Sequence, residues 1–199
     1  MNFARLEQCA KRIKNKHKKY TLLDAGCRTR ALEPLLNDCK EYYGTDLIPS
    51  EGVLQCNLEK KLPFEDNTYD VVTALDVLEH LNDPHGALKE LCRVAKKSVY
   101  ISLPNMFYIE FRLRFLFGGG ISGKYKFSVD PILDRHRWML SYLEAISFVT
   151  ENAKEYNVEH EMILPKRRNK LLAQPQYMLA KIWPNLFVYG VLFEISLES

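Results

Sequence analysis

The chain predicts an α/β fold: a seven-stranded mixed sheet with helices on both faces, closing on an antiparallel strand hairpin at the C-terminal end. Three observations predict it. Short apolar runs of strand length alternate with segments of helical periodicity, the connections between them are short, and the first run stops at a glycine, Gly26. Such runs read as strands buried on both faces of a largely parallel sheet, linked by right-handed crossovers. The 199 residues, 47% of them apolar, with 28 Lys+Arg against 25 Asp+Glu, suit a single domain over residues 1–199. At this length roughly 70% of the unfolded surface can be buried.

The elements follow in order. Phe3, Leu6, Ala10, Ile13 and His17 recur at spacings of three and four, which predicts an N-terminal amphipathic helix within residues 1–19. Its other face carries Lys11, Arg12, Lys14, Lys16, Lys18 and Lys19. A solvated basic face is the stronger reading of that run, ahead of a phosphate-binding stripe, so nucleic acid is not expected as a partner. Residues 21–25 form the first strand. Leu32, Leu35, Leu36 and Cys39 then repeat at helical spacing, and Pro34 requires that helix to begin close to Thr29. Residues 41–46, 53–56 and 69–75 read as strands. Asp83-Pro84 is an N-cap followed by proline at the first helical position, opening a helix that buries Ala87, Leu88, Leu91, Cys92 and Ala95.

Residues 98–103 form a strand that ends at Pro104. Residues 105–138 break the rhythm with many aromatics, including Phe127, and the run Gly118-Gly119-Gly120, and read as an inserted lid. Ser141-Tyr142-Leu143-Glu144 is a capping box opening the next helix. Residues 156–164 and 186–195 supply the last two strands, joined through a basic connection at 166–170 that allows them to run antiparallel.

Composition also excludes function classes. Five cysteines, at 9, 27, 39, 56 and 92, make an odd count with no C-x-x-C pair and no histidine at zinc-ligand spacing, so neither a disulfide framework nor a metal site is expected. A reducing, cytoplasmic setting suits them. The first residues lack the apolar core of a secretory signal. The most apolar stretch, residues 186–193, is far short of the roughly 20 residues that a membrane-spanning helix needs.

Leu22-Leu23-Asp24-Ala25-Gly26-Cys27, Asp46 twenty positions after Gly26, and Leu62-Pro63-Phe64 ahead of Tyr69-Asp70-Val71-Val72 together resemble class I S-adenosylmethionine-dependent methyltransferases. Ala74-Leu75-Asp76-Val77-Leu78-Glu79-His80 and Ser102-Leu103-Pro104-Asn105 continue the resemblance, which runs in order from about residue 20 to 105. The lid and Asp134-Arg135-His136-Arg137-Trp138 are similar, more loosely, to bacterial enzymes of the methyltransferase type 11 and methionine-biosynthesis kind. The resemblance implies a Rossmann-like sheet and S-adenosyl-L-methionine as cofactor, held by Asp24, Gly26, Cys27, Arg28, Asp46, Leu47, Asn57, Leu58, Leu75 and Asp76. It implies that Leu47 and Leu58 flank the adenine, that Asn57 faces the adenine amino group, and that Asn105, Tyr108 and Trp138 lie toward the acceptor. His136, His80 and Glu79 are the candidate catalytic groups.

The residue types make chemical sense there. A strand-to-helix turn at the carboxyl edge of a parallel sheet is where such folds bind ligands, and a glycine lets the backbone approach closely. A carboxylate just before that turn repels a pyrophosphate and attracts the cationic amino group of S-adenosylmethionine. Asp24 therefore argues against a dinucleotide-dependent oxidoreductase, as does the missing G-x-G-x-x-G. The sequence departs from the family where two further glycines usually stand, with Arg28 and Arg30. Arg28 is either a bidentate clamp for the methionine carboxylate or an obstruction that leaves a non-catalytic scaffold. The expected reaction is methyl transfer to an oxygen or nitrogen of a small-molecule or glycan-like acceptor.

Overall fold

The structure is a computed structural model that describes residues 4–121, 123–125, 129, 135–165 and 173–198. Phe3, Phe127, Asp134 and the basic connection 166–170 lie outside the described residues. Helix α1 (Ala4–Lys16) is followed by strands β1 (Tyr20–Ala25), β2 (Cys39–Asp46), β3 (Val53–Gln55) and β4 (Tyr69–Leu75). Helix α2 (Pro84–Val94), strand β5 (Ala95–Pro104), and helices α3 (Ile109–Leu116) and α4 (Tyr142–Asn152) come next. Strand β6 (Asn157–Ile163), helices α5 (Ala173–Ile182) and α6 (Pro184–Phe187), and strand β7 (Gly190–Ser196) complete the order.

The seven strands form one sheet in the order β3-β2-β1-β4-β5-β7-β6. The first five pair in parallel, and β7 runs antiparallel to both β5 and β6. Chain order reverses direction between β1 and β4, and the carboxyl ends of strands at such a reversal are where sheets of this kind form a ligand crevice. Asp24 is opposite Gly44 of β2 and Thr73 of β4, and Leu75 is opposite Ser102 of β5. Register alone brings the ends of four strands to one edge.

Alternation along the strands sorts side chains into two cores. Leu23, Val72 and Ile101 face α2 and α4, and contribute to one cluster with Leu88, Leu91 and Val149. Leu22, Val71, Tyr100 and Leu192 face the other way and pack with Leu6, Cys9, Ala10 and Ile13 of α1. Two helices begin where their capping chemistry says. Asp83 accepts a hydrogen bond from the Gly86 backbone N–H at 2.9 Å, and Ser141 and Glu144 form a reciprocal capping box. No helix among the described residues is long and apolar enough to cross a membrane.

Three sequence expectations need correction. The helix expected from Thr29 is absent; only a single 3₁₀ turn, Glu33–Leu35, forms between β1 and β2. Left-handed backbone at Arg28 and Arg30 precedes it, Pro34 removes an amide donor, and Cys39 has already joined β2, so too few residues remain for an α-helix. The last strand begins at Gly190 rather than 186, because Pro184 starts the short helix α6 ahead of it. Ala95, expected on the buried stripe of α2, is the first residue of β5, and Val94 takes the buried helical position.

The basic face of α1 is also not simply solvated. Arg12 reaches Glu194 of β7 at 2.8 Å and Glu159 of β6 at 2.6 Å, and Lys16 reaches Glu194 at 2.5 Å. Glu194 is only 4% exposed, and these cations hold its carboxyl below the usual range against the opposing effect of burial. Glu194→Ala removes the buried carboxylate that Arg12 and Lys16 share and leaves Arg12 with its more exposed partners Glu159 and Glu161, and breaking a partly buried pair of this kind costs about 2–4 kcal/mol. Urea unfolding should show a loss of that size, with Glu194→Gln falling between the two.

Candidate functional site

The site starts from the end of β1. Asp24 is buried, and its carboxylate accepts hydrogen bonds from the Tyr42 hydroxyl on β2 and, at 2.7 Å, from the Thr73 hydroxyl on β4. Neither partner is visible from spacing, since Thr73 is forty-nine positions away and meets Asp24 only through strand register. Gly26 then turns the chain with φ of +74°, and a Cβ there would lie 2.6 Å from the Val77 side chain. The residue is required twice, for its backbone angle and because the turn after β1 presses on the turn after β4. Cys27 follows, half-buried, and burial pushes its thiol up to about 12, so it is not a thiolate nucleophile at neutral pH.

Arg28 and Arg30 stand in place of the family's glycines yet keep the left-handed backbone, at φ of +50° and +53°. The turn therefore has the shape of a glycine turn while carrying two cations. Arg30 points away from the crevice, with its guanidinium bonded to Glu33 at 2.7 and 2.8 Å and to the Gly52 carbonyl, over the ring of Tyr42. Arg28 is exposed at the crevice.

Asp46 closes the other wall. Its carboxylate accepts from the Arg28 and Ile48 backbone N–H groups, both at 3.0 Å, so it shapes the turn and still has lone pairs to offer. Leu47 beside it is exposed. Leu58, by contrast, is packed in the main core, and Asn57 accepts from the Glu59 backbone N–H at 2.9 Å in a local turn. Leu75 is buried, and Asp76 after it adopts a left-handed φ of +56°. The Asp76 carboxylate accepts from Ser102 at 2.5 Å and pairs with Arg5 of α1 at 3.0 Å.

Beyond β4, Glu79 and His80 lie on a single 3₁₀ turn, Leu78–His80, and residues 135–138 dock onto it. The Arg137 N–H donates to the Glu79 carbonyl at 2.9 Å, Arg137 Nε to the His80 carbonyl at 2.9 Å, and Trp138 Nε1 to the Leu81 carbonyl at 2.7 Å. These bonds bring His136 beside the turn, its ring centroid 4.7 Å from that of His80 and 5.3 Å from that of Tyr125. Two adjacent candidates and a third more than fifty positions further on in the sequence are thus gathered together. Trp138 is half exposed, with its ring nitrogen already bonded.

Asn105 and Tyr108 are placed differently. Asn105 is fully buried; its amide donates to the carbonyls of Asn185 and Val188 at 3.0 and 2.7 Å and its oxygen accepts from the Phe107 N–H at 3.0 Å. Tyr108 is buried between Phe111 and Tyr189 and reaches Glu110 at 3.3 Å. Both hold the segment that follows β5 to the sheet.

Burial raises the Asp24 carboxyl to about 6, against the lowering effect of its Tyr42 and Thr73 bonds. A raised carboxyl means that the folded protein holds a proton which the unfolded chain has released between pH 4 and 6. Its favourable contribution is complete below about pH 4 and is lost as pH rises through about 6, by up to about 3 kcal/mol. Asp24→Asn should abolish this component of the stability-against-pH curve, as read by denaturant titration. The left-handed backbone at Arg28 costs a non-glycine residue about 1 kcal/mol. Arg28→Gly should therefore raise unfolding free energy by about that amount.

Comparison with known proteins places this geometry. Residues 23–103 match the family model of the Methyltransferase domain, and this stretch runs from β1 to the end of β5. An uncharacterized methyltransferase of Schizosaccharomyces pombe is 56% identical over 41 residues, which cover 21% of this chain and 15% of that protein. An uncharacterized protein of Methanocaldococcus jannaschii is 33% identical over 100 residues, 47% of this chain and 44% of that protein. The match thus spans less than half the length of either curated relative. Among solved structures, the methyltransferase domain of the bacterial protein CtHen1-C superposes with a TM-score of 0.64 at 17% identity, over 100% of this chain and 99% of that one. Magnesium protoporphyrin IX methyltransferase of Synechocystis PCC 6803, solved with bound S-adenosylhomocysteine, superposes at 0.59 with 15% identity, over 96% and 81%. Residues 23–103 are thus similar to the Methyltransferase domain family, and the whole sheet has the fold of these solved methyltransferase domains.

Proposed function

We propose that the chain is an S-adenosylmethionine-dependent methyltransferase acting on an oxygen or nitrogen of a small-molecule or glycan-like acceptor. The observation that carries this reading is the carboxyl edge of β1 and β2, where a buried carboxylate, a glycine turn and a second carboxylate line one crevice. Asp24 attracts the cofactor's amino group, Gly26 and Cys27 present backbone to the methionine portion, and Asp46 accepts from the ribose hydroxyls. Leu47 covers one face of the adenine, with Asn57 near its amino group, while Leu75 and Asp76 border the sulfonium. Leu58 supports this wall from the core. Arg28 pairs with the methionine carboxylate at the mouth of the crevice.

Methyl transfer needs alignment and a dry site first, and a base only when the acceptor loses a proton. His136, with His80 and Glu79 behind it, is positioned on the acceptor side to take that proton. In this reading residues 105–138 cover the edge as a lid of the single domain, with Trp138 toward the acceptor and Asn105 and Tyr108 anchoring its near end. The reading gives the chain a cytoplasmic setting and a diffusible acceptor.

A second reading, a methyltransferase-like scaffold without turnover, draws on the two arginines in the glycine turn. Calorimetric titration separates them. S-adenosylmethionine should bind and NAD should not, and Asp46→Ala should weaken binding at least tenfold through lost bonds to the ribose. Affinity for S-adenosylmethionine should also rise as pH goes from 5 to 7, because the Asp24 carboxyl at about 6 must ionise to hold the amino group. Arg28→Gly weakens the cofactor if Arg28 is a clamp; tighter binding in that variant, or none in the unmutated chain, favours the scaffold.

A further inference from the structure

We infer that Glu79, His80 and His136 form a binding site for one divalent cation of the zinc or manganese type on the acceptor side of the cofactor crevice. The starting observation is Glu79. Its side chain is fully buried, and neither carboxylate oxygen has a hydrogen-bond partner among the other described residues. A buried carboxylate so placed is strongly unfavourable unless a positive charge or a proton joins it.

What surrounds it is a set of metal ligands. One oxygen, Oε1, lies 3.8 Å from Nε2 of His136 and 3.9 Å from Nε2 of His80, and ligand atoms of the three residues all lie within 4.8 Å of one another. Ligands bound tetrahedrally to zinc are separated by about 3.3 Å, so closing the set on an ion needs movements of a fraction of an ångström to about an ångström. Imidazole nitrogen with carboxylate oxygen suits zinc, manganese or iron better than magnesium or calcium.

The orientation of His80 points the same way. Its Nδ1 lies 2.9 Å from the Arg135 carbonyl, which can only accept, so Nδ1 carries the proton. In the neutral ring the lone pair is then on Nε2, and it faces the Glu79 carboxylate. Two lone-pair donors aimed at each other repel unless a cation or a proton lies between them. A ring nitrogen fixed by a backbone carbonyl is also how proteins commonly orient a metal-bound histidine. The site is invisible to spacing rules, because His136 arrives through the docking of residues 135–138 on the Leu78–His80 turn.

Three protein ligands leave a coordination position open, as in catalytic rather than structural sites. For the chemistry of that position the inference rests on the transferase reading: it fits an acceptor that offers a hydroxyl. With His136 occupied as a ligand, the cation replaces it as the means of deprotonation: it lowers the hydroxyl's pKa, the proton leaves to water, and the oxygen forms its bond to the methyl carbon. The carbon–sulfur bond breaks with its electron pair kept by sulfur, giving the neutral thioether.

The test uses the full chain, stripped with a chelator and shown to be folded by circular dichroism. It is titrated calorimetrically with zinc chloride and, separately, with manganese and magnesium chloride. The expected result is one zinc or manganese ion per chain, with magnesium weaker, and at least tenfold weaker binding in Glu79→Gln and in His136→Ala. Cobalt(II) should give visible absorption that the same variants lose. A folded chain that takes up neither zinc nor manganese overturns the inference, as does binding that Glu79→Gln, His80→Ala and His136→Ala all leave unchanged. S-adenosylmethionine titrated into the same sample reports separately on the cofactor reading. Zinc binding without cofactor binding upholds the cation site and counts against the transferase, and the reverse result does the opposite.

Discussion

One carboxylate fastens three strands at the point where the sheet changes direction. Asp24 ends β1, and its two oxygens take hydroxyl hydrogen bonds from Tyr42 on β2 and Thr73 on β4. Burial raises its pKa, and the two hydroxyls act against that rise without cancelling it. Carboxyl ends of parallel strands are where side chains and turns are free to serve a ligand, because the loops there carry no ladder bonds. With β1, β2 and β4 held in register by this network, the turns that follow them are forced into contact. Gly26 against Val77 is one of these approaches, where an added Cβ would lie 2.6 Å from the Val77 side chain.

The same edge stores backbone strain. Arg28, Arg30 and Asp76 all adopt left-handed angles that favour glycine, and all three lie on turns that border the crevice. Each is held by other bonds: Arg28 through its N–H to Asp46, Arg30 by Glu33 and Gly52, and Asp76 by Ser102 and Arg5. Strain of this kind persists where the surroundings over-determine it, and it concentrates where shape serves binding. The fold thus keeps a glycine-turn geometry while changing the charge displayed at its mouth.

Far from that edge, charge does structural work. Helix α1 covers one face of the sheet with Leu6, Cys9, Ala10 and Ile13, and its cations reach over the side to Glu194 and Glu159. The helix contributes to the crevice as well, because Arg5 near its start pairs with Asp76. A basic run that looks like a solvated face is in part a clasp between the first helix and the last two strands.

Much of the sheet was legible in the sequence because buried parallel strands leave a local signature, an apolar run that stops at a turn residue. Residues 69–75 and 98–103 carry it, whereas β6 does not, since its Glu159, His160 and Glu161 are exposed at the edge of the sheet. Asp24, Gly26 and Asp46 were legible too, since their spacing follows from the length of one strand-turn-strand unit. What spacing cannot report is which distant residues a parallel sheet sets side by side. Thr73 beside Asp24, Leu58 turned into the core, and Asn105 used up on the carbonyls of Asn185 and Val188 depend on register and crossover. The missing helix after Thr29 shows the same limit, for helical spacing is satisfied there while Cys39 is drawn into β2 by ladder bonds made far from the pattern. Glu79, His80 and His136 meet only because residues 135–138 dock on the turn after β4. Local pattern determined which segments are strands and which residues end them; long-range hydrogen bonding and burial decided which of those residues meet and which are left over for chemistry.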